Sequence, residues 1–405
     1  MAARKRKLTS LDDFRRKVPH VSQRALDGII AEIKRTGLPE LGSRKHMRKG
    51  MELKVSEPTP YGPVSQELQA QNCAGKILVA HPLALIWKVV KECEPFAEFM
   101  TQCLERHPCS FERPWNLVRY ADEVVPGDQV GGKRKRKFQA VYYSFMEFGP
   151  IALSHEDMWF TLTTTRSTEV SKLAGGMANV FGTIMKELFV EYDIANCGFD
   201  IKLGEATQRL FVRCKCFLMD GAAHKSTWHC KGDAGSKFCL LCKNLFGAKS
   251  EVCDEDGTSQ LCCNVTTHAA LDLASSEDLR AACLRLDAFR SIDTKDEFEH
   301  RQQALGFVWA PYNMLSDPSL DNCLFVKEQM LHDWMHMIFV TGVWNNLLNM
   351  VLESLRAVIP MGNIYSLIQG FVSLWKWPHK ANAQGKQLSK LFAETALPER
   401  QGTTL

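Results

Sequence analysis

No stretch of the sequence reaches the ~20 consecutive apolar residues that a membrane-spanning helix requires. The best candidate, "MHMIFVTGVWNNLLNMVL" from Met335, is interrupted by Asn345 and Asn346, so no membrane partner is expected. The amino terminus is charged and has no apolar segment, so no secretory signal is expected either. Charge of one sign is also missing: 50 Lys+Arg stand against 46 Asp+Glu, a net +4, too mild to argue for a polyanionic partner unaided. The 15 cysteines are odd in number. With no secretory context they read as reduced thiols of cytosol or nucleus, some of them metal ligands.

What is present is an ordinary globular composition. The chain has 405 residues, 45% hydrophobic and 24% charged, enough for two or three domains of roughly 100–200 residues. The basic residues are unevenly spread. "ARKRK", "FRRK" and "SRKHMRKG" crowd the first fifty residues, and "GGKRKRK" covers Gly131 to Lys137. Such runs suit a nuclear address or phosphate contacts. Lys133, Arg134, Lys135, Arg136 and Lys137 are the candidate DNA contacts; a solvated surface loop is the plain alternative.

Residues 1–20 read as a disordered basic arm. Residues 21–110 read as a helical region. "SQRALDGIIAEIKRTG" forms a helix capped by Ser22 and stopped by Gly37, "LGSRKHMRKGMELKVSEPTPYGPVSQE" is linker-like, and a second helical stretch breaks near Pro95. From 111 to 223 the pattern changes. "WNLVRYADE", "KFQAVYYSFMEFG" and "DMWFTLTTTRS" read as strands, "SKLAGGMANVFGTIMKELFVEY" as a helix with glycines tolerated inside, and "QRLFVRCKCFLMDG" as a fourth strand. Residues 224–325 form a Cys-rich insertion, and 326–405 a helical end of the core.

The order is βββαβ, with acids closing the first and fourth strands. In a ribonuclease-H-like α/β fold those two strands are neighbours, so Asp122 and Asp220 meet at one sheet edge. Two carboxylates there can hold Mg²⁺ or Mn²⁺, which favour oxygen ligands. Two such ions about 3.5–4 Å apart activate a hydroxyl and stabilise the leaving oxygen of a phosphodiester. The bland alternative for Asp220-Gly221 is a turn after a strand.

Four stretches resemble the DDE-type transposases of the CACTA and Kyakuja-Dileera-Zisupton kinds. "YADEVVPGDQ" (Tyr120–Gln129) is similar to their first-acid motif and "RKFQAVYYSF" (Arg136–Phe145) to the strand after it. "MDGAAHKSTWHCKGDAGSKFCLLC" is similar to the second-acid motif, and "HDWMH" (His332–His336) to the Asp-x-x-His signature. The resemblance covers about residues 20 to 380. It implies a nuclear enzyme that cuts and joins DNA, with a homo-oligomer left open and Asp333 and His336 in supporting roles. Where the family places its third acid, on a helix well beyond the signature, this sequence departs. Glu353 is too close to "HDWMH", while Glu394 and Glu399 lie in a Pro-containing tail. The expectation is a truncated copy, inactive for want of that acid. The rivals are a non-catalytic zinc-containing DNA-binding derivative, and an unrelated nuclease completed by Glu123 or Asp200.

Cys239 and Cys242 have the spacing of a zinc knuckle, and zinc sites of this kind take four Cys/His ligands. Cys230, His229, Cys253, Cys262, Cys263 and His268 are the candidates for the rest, with Cys230, Cys262 and His268 preferred. The plain alternative is a cluster of buried thiols. Cys214 and Cys216 read as core. Read as a helix, "HDWMH" puts His332 and His336 on one face with Asp333 paired to His336. Its apolar flanks predict burial.

Overall fold

The structure is a computed structural model. It describes residues 23–37, 44–125, 137–232, 235–237, 239–244, 271–339 and 343–358, with single positions at 267, 269, 367, 368, 370, 371 and 374. The chain divides into two units, Met1–Val64 and Ser65–Leu405.

The first unit contains helices α1 (Gln23–Thr36) and α2 (Arg44–Ser56). Leu26 is buried in α1. Gly37 ends it at φ +84, its N–H bonding the Ile33 carbonyl at 2.9 Å, a left-handed stop that glycine adopts freely. Ser22, the expected cap, lies outside the described residues. Helix α2 corrects the linker reading. The prolines begin only at Pro58, and the "RKHMRKGMELKV" before them consists largely of good helix formers.

In the second unit a hairpin, β1 (Ser65–Gln69) with β2 (Lys76–Ala80), precedes α3 (Pro82–Glu92) and α4 (Glu94–Arg106). The break falls at Cys93, just before Pro95, as expected. Then come β3 (Trp115–Val124), β4 (Phe138–Phe145), β5 (Phe160–Arg166), helix α5 (Gly176–Lys186), a hairpin of β6 (Phe199–Leu203) with β7 (Ala206–Leu210), and β8 (Val212–Met219). Helix α6 (Gly221–Trp228) follows. After it come α7 (Ser276–Phe289), α8 (Lys295–Leu305), the short strand β9 (Met330–His332), α9 (Trp334–Ile338) and α10 (Val343–Val358). No described helix is long and apolar enough to cross a membrane.

The architecture is α/β around a mixed five-stranded sheet of order β5-β4-β3-β8-β9. β3 pairs antiparallel with β4, and β4 with β5. β8 lies parallel to β3 on its other side, and β9 parallel to β8. Antiparallel neighbours can be joined locally, whereas each parallel one needs a crossover. Helix α5 lies in the first crossover, between β5 and β8, and α6 to α8 lie in the second.

Helix α5 supplies much of the core. Met177, Ala178, Val180, Phe181, Ile184 and Met185 are buried, and Phe181 meets Phe217 of β8 edge-on at 5.5 Å. Burial of a ring such as Phe181 contributes about 1.5–3 kcal/mol. Two features correct the expected helix. It starts at Gly176, the second of a Gly175–Gly176 pair whose φ values of +79 and +53 are left-handed. It runs on through a π-helical segment, Glu187–Glu191. Gly182 lies inside α5 for a spatial reason: a Cβ there would stand 2.1 Å from the Tyr312 hydroxyl.

The expected fourth strand, "QRLFVRCKCFLMDG", is in fact β7 and β8 separated at Phe211. A larger correction concerns "HDWMH". His332 ends a strand, Asp333 is a junction, and only Trp334 begins a helix. That helix is open rather than buried, with Trp334 59% and Met337 53% exposed.

Candidate active site at the ends of three parallel strands

Ala121 of β3 is in register with Met219 of β8, and Met219 with His332 of β9. The next residue in the chain after each is an acid: Asp122 within β3, Asp220 just past β8 and Asp333 just past β9. The three strands run parallel and adjacent strands lie about 4.8 Å apart. The acids therefore form a row with Asp220 in the middle. Sequence reasoning anticipated the Asp122–Asp220 adjacency from strand order. For Asp333 the resemblance implied a supporting role beside His336, not that of a third acid.

Local structure orients each carboxylate. Asp220 is the N-cap of α6, its Oδ1 accepting the Ala223 N–H at 2.6 Å. Asp333 caps α9, its Oδ1 accepting the Met335 N–H at 2.9 Å, while Oδ2 accepts from His336 Nδ1 at 2.8 Å. Capping is what a short acid does well at a helix start. The Asp333–His336 pairing expected from i, i+3 spacing is present.

Crowded charge shows in the titration of the neighbours. Burial, then the charges of Asp220 and Asp333, push the Asp122 carboxyl above its ordinary range, against the opposing pull of the Glu123 backbone and of His336. The Tyr120 phenol, two residues back along β3, is pushed up to about 12 by burial and by Asp122, Asp333 and Asp220. It stays protonated and remains a hydrogen-bond donor. His336 is raised by its bond to Asp333 and by the charges of Asp333, Asp220 and Asp122. A carboxyl such as Asp122, held above its ordinary range by neighbouring negative charge, favours a cation beside it.

A buried histidine ties the row together from behind. His224 on α6 accepts the Trp228 indole N–H on Nδ1 at 3.0 Å, so Nε2 carries its proton and donates to the Leu331 carbonyl of β9 at 3.2 Å. Its ring meets that of His332 at 4.6 Å. Burial, with the neighbouring His332, drives the His224 pKa down to about 4, so the ring is neutral. The helix that Asp220 caps is thus latched to the strand that Asp333 follows. Neither Tyr120 nor His224 was singled out from sequence. For His224 the available signal was its i, i+4 spacing to Trp228.

The other candidates fall elsewhere. Glu123 is engaged by Lys137, Gln139 and Ser167. Asp200 is paired with Arg209 across the β6–β7 hairpin at 2.8 Å. Lys137 is the one described member of the basic run, and its ammonium meets Glu123; Lys133, Arg134, Lys135 and Arg136 lie outside the described residues. Glu353 is on α10 and exposed; Glu394 and Glu399 lie outside.

The thiols of Cys239 and Cys242 are in contact. That bond and then burial hold the Cys239 thiol far above its ordinary range. Cys230, pushed up to about 11 chiefly by burial, has Cys239 among its neighbours. His229 neighbours the backbone of Gly175 and Tyr312 instead. Cys253, Cys262, Cys263 and His268 lie outside the described residues. Cys214 and Cys216 are buried, as expected for core.

In donor chemistry the acid row suits a hard divalent cation and the thiols suit zinc. Among the described residues, however, no three His, Cys, Asp or Glu side chains converge closely enough to cage a metal ion. Two of the three acids spend an oxygen on a helix cap. No protein-family model matches the chain, and no curated protein matches it.

Proposed function

We propose that the protein is a DDE-type, transposase-like enzyme that cleaves and transfers DNA strands, built on a ribonuclease-H-like core. The observation that carries the reading is the row of Asp122, Asp220 and Asp333 at the ends of three adjacent parallel strands. Support comes also from the strand order β5-β4-β3-β8-β9, with a helical crossover between β5 and β8. In this reading Asp333, next after β9, takes the place of the third acid that the resembled families carry further on. The three carboxylates do not cage an ion as they stand; drawn together, Asp122, Asp220 and Asp333 would hold Mg²⁺ or Mn²⁺, which when bound supplies charge stabilisation at phosphate and a more acidic hydroxyl nucleophile.

The chain's own groups have separate tasks. Asp220 and Asp333 are oriented by the helix N–H groups they accept. Tyr120 keeps its proton and offers it to a phosphate oxygen. His336 holds one oxygen of Asp333, and the Trp228–His224–Leu331 chain keeps the spacing of the two strand ends. Cys239, Cys242 and Cys230, with a fourth ligand from Cys262 or His268, would form a structural zinc site at the start of the insertion. The test is Mn²⁺-dependent cleavage of labelled DNA by the wild type and by Asp122→Asn, Asp220→Asn and Asp333→Asn.

One observation favours a second reading, a non-catalytic zinc-containing DNA-binding protein. Asp220 and Asp333 already serve as helix caps, which a purely structural role would explain. In that case Mn²⁺ produces no cleavage, while DNA binding survives all three substitutions.

A further inference from the structure

The face of the sheet that carries Asp122 also carries a group of aromatic rings. Tyr120 lies two residues before Asp122, so both side chains leave β3 on one face. Tyr142 is directly opposite Tyr120 on β4, with ring centroids 6.4 Å apart. Trp159, at the entrance to β5, meets Tyr120 at 6.3 Å and 66°. All three rings are partly exposed. The contrast with the opposite face is sharp, where Arg119 and Phe217 are fully buried.

These rings are held rather than loose. The Trp159 indole N–H is fixed by the Leu153 carbonyl at 2.9 Å. Tyr120 and Tyr142 stand on paired strands. Tyr120 and Asp122 stand two residues apart on one face of β3, so the ring cluster adjoins the carboxylate row. Rigid aromatic surface partly open to solvent, next to groups suited to a phosphodiester, is what base stacking uses. A base inside a duplex has both faces covered by its neighbours, so only an unpaired or extruded base can lie on such a surface.

We propose that Tyr120, Tyr142 and Trp159 form a stacking site for an unpaired DNA base beside the scissile phosphate. The preferred substrate is then DNA that is single-stranded or splayed at the point of cutting. The inference rests on the phosphodiester reading of the acid row and names its substrate class.

The experiment measures binding in Ca²⁺ of a short single-stranded DNA, the same strand with one abasic position moved along it, and the matching duplex. Wild type, Trp159→Phe, Trp159→Ala and Tyr142→Ala are compared by anisotropy. Tryptophan quenching is taken as the difference between wild type and Trp159→Phe. The expected result is tighter binding of the single strand, quenching assigned to Trp159, and loss of affinity at one abasic position. Trp159→Ala should weaken binding by about 5- to 150-fold, the range for one stacked base. Equal affinity for intact and abasic strands overturns the proposal, and so does preference for duplex. The abasic series needs no variant and so stands even if Trp159→Ala fails to fold. A base-dependent signal that survives in a protein whose Asp122→Asn and Asp220→Asn forms bind Mn²⁺ like wild type would reject the active-site reading and keep the stacking site. Mn²⁺-dependent cleavage with no base dependence would do the reverse.

Discussion

The backbone N–H of Asp333 donates to the carbonyl of Met219, the residue immediately before Asp220, at 2.9 Å. One sheet hydrogen bond thus sets the spacing of two acids that more than a hundred residues separate in the chain. Parallel pairing does the rest, since Asp122 stands in the equivalent place on the other side of Asp220.

The buried His224 should make stability depend on pH. Its folded pKa is about 4, against roughly 6.5 in an unfolded chain. Between those values the unfolded state binds the extra proton, so stability is lost as pH falls from about 6.5 towards 4, by an amount on the order of 3 kcal/mol. His224→Gln keeps an acceptor and a donor without the titration. Thermal melts from pH 7 to 4.5 should fall less steeply for the variant than for wild type; parallel curves would contradict the assignment.

Gly182 should resist enlargement. Its missing Cβ would meet the Tyr312 hydroxyl at 2.1 Å, and overpacking of this kind costs about 1–3 kcal/mol. Denaturant titration of Gly182→Ala should show that loss. Adding Tyr312→Phe should recover part of it, although the phenol's 3.0 Å bond to Asp317 is then forfeited. No recovery would mean that the hydroxyl is not the obstacle.

The knuckle thiols should carry zinc. Purified protein should contain about one equivalent per zinc site, and Cys239→Ser or Cys242→Ser should lower the content and loosen the insertion. Unchanged zinc in both variants would leave the contacting thiols as buried core.

Much of the strand pattern was legible in the sequence, because β3, β4 and β5 are long enough for their β-branched and aromatic residues to show. Asp122 and Asp220 could be placed together for the same reason. What was missed is short or polar. β9 has only three residues, Met330–His332, and is a strand because Met219 and its neighbours offer it an edge. In isolation those residues extend the apolar run that follows, and so Asp333 read as lying within a helix. "SQELQ" of β1 lacks an apolar alternation, and its pairing with "KILVA" supplies what its own pattern does not. The openness of α9 could not be seen either, since an apolar stretch does not reveal whether anything packs on it.

The basic run should bind DNA through phosphate. Neutralising Lys133 to Arg136 should flatten the salt dependence by as much as about 0.9 in log–log slope per lost contact. Lys137→Gln alone should do little, because its ammonium is already paired with Glu123. An unchanged slope in the fourfold variant would return the run to ordinary solvated surface.

The central claim is that Asp122, Asp220 and Asp333 act as one cation site. The most direct measurement is Mn²⁺ binding by electron paramagnetic resonance on wild type and on the three single Asp→Asn variants, with Glu123→Gln and Asp200→Asn as controls. The account predicts that each of the three weakens Mn²⁺ binding by about tenfold or more, roughly 1.4 kcal/mol for a lost ligand, while both controls bind like wild type. Wild-type affinity in Asp333→Asn, or in all three, would contradict it.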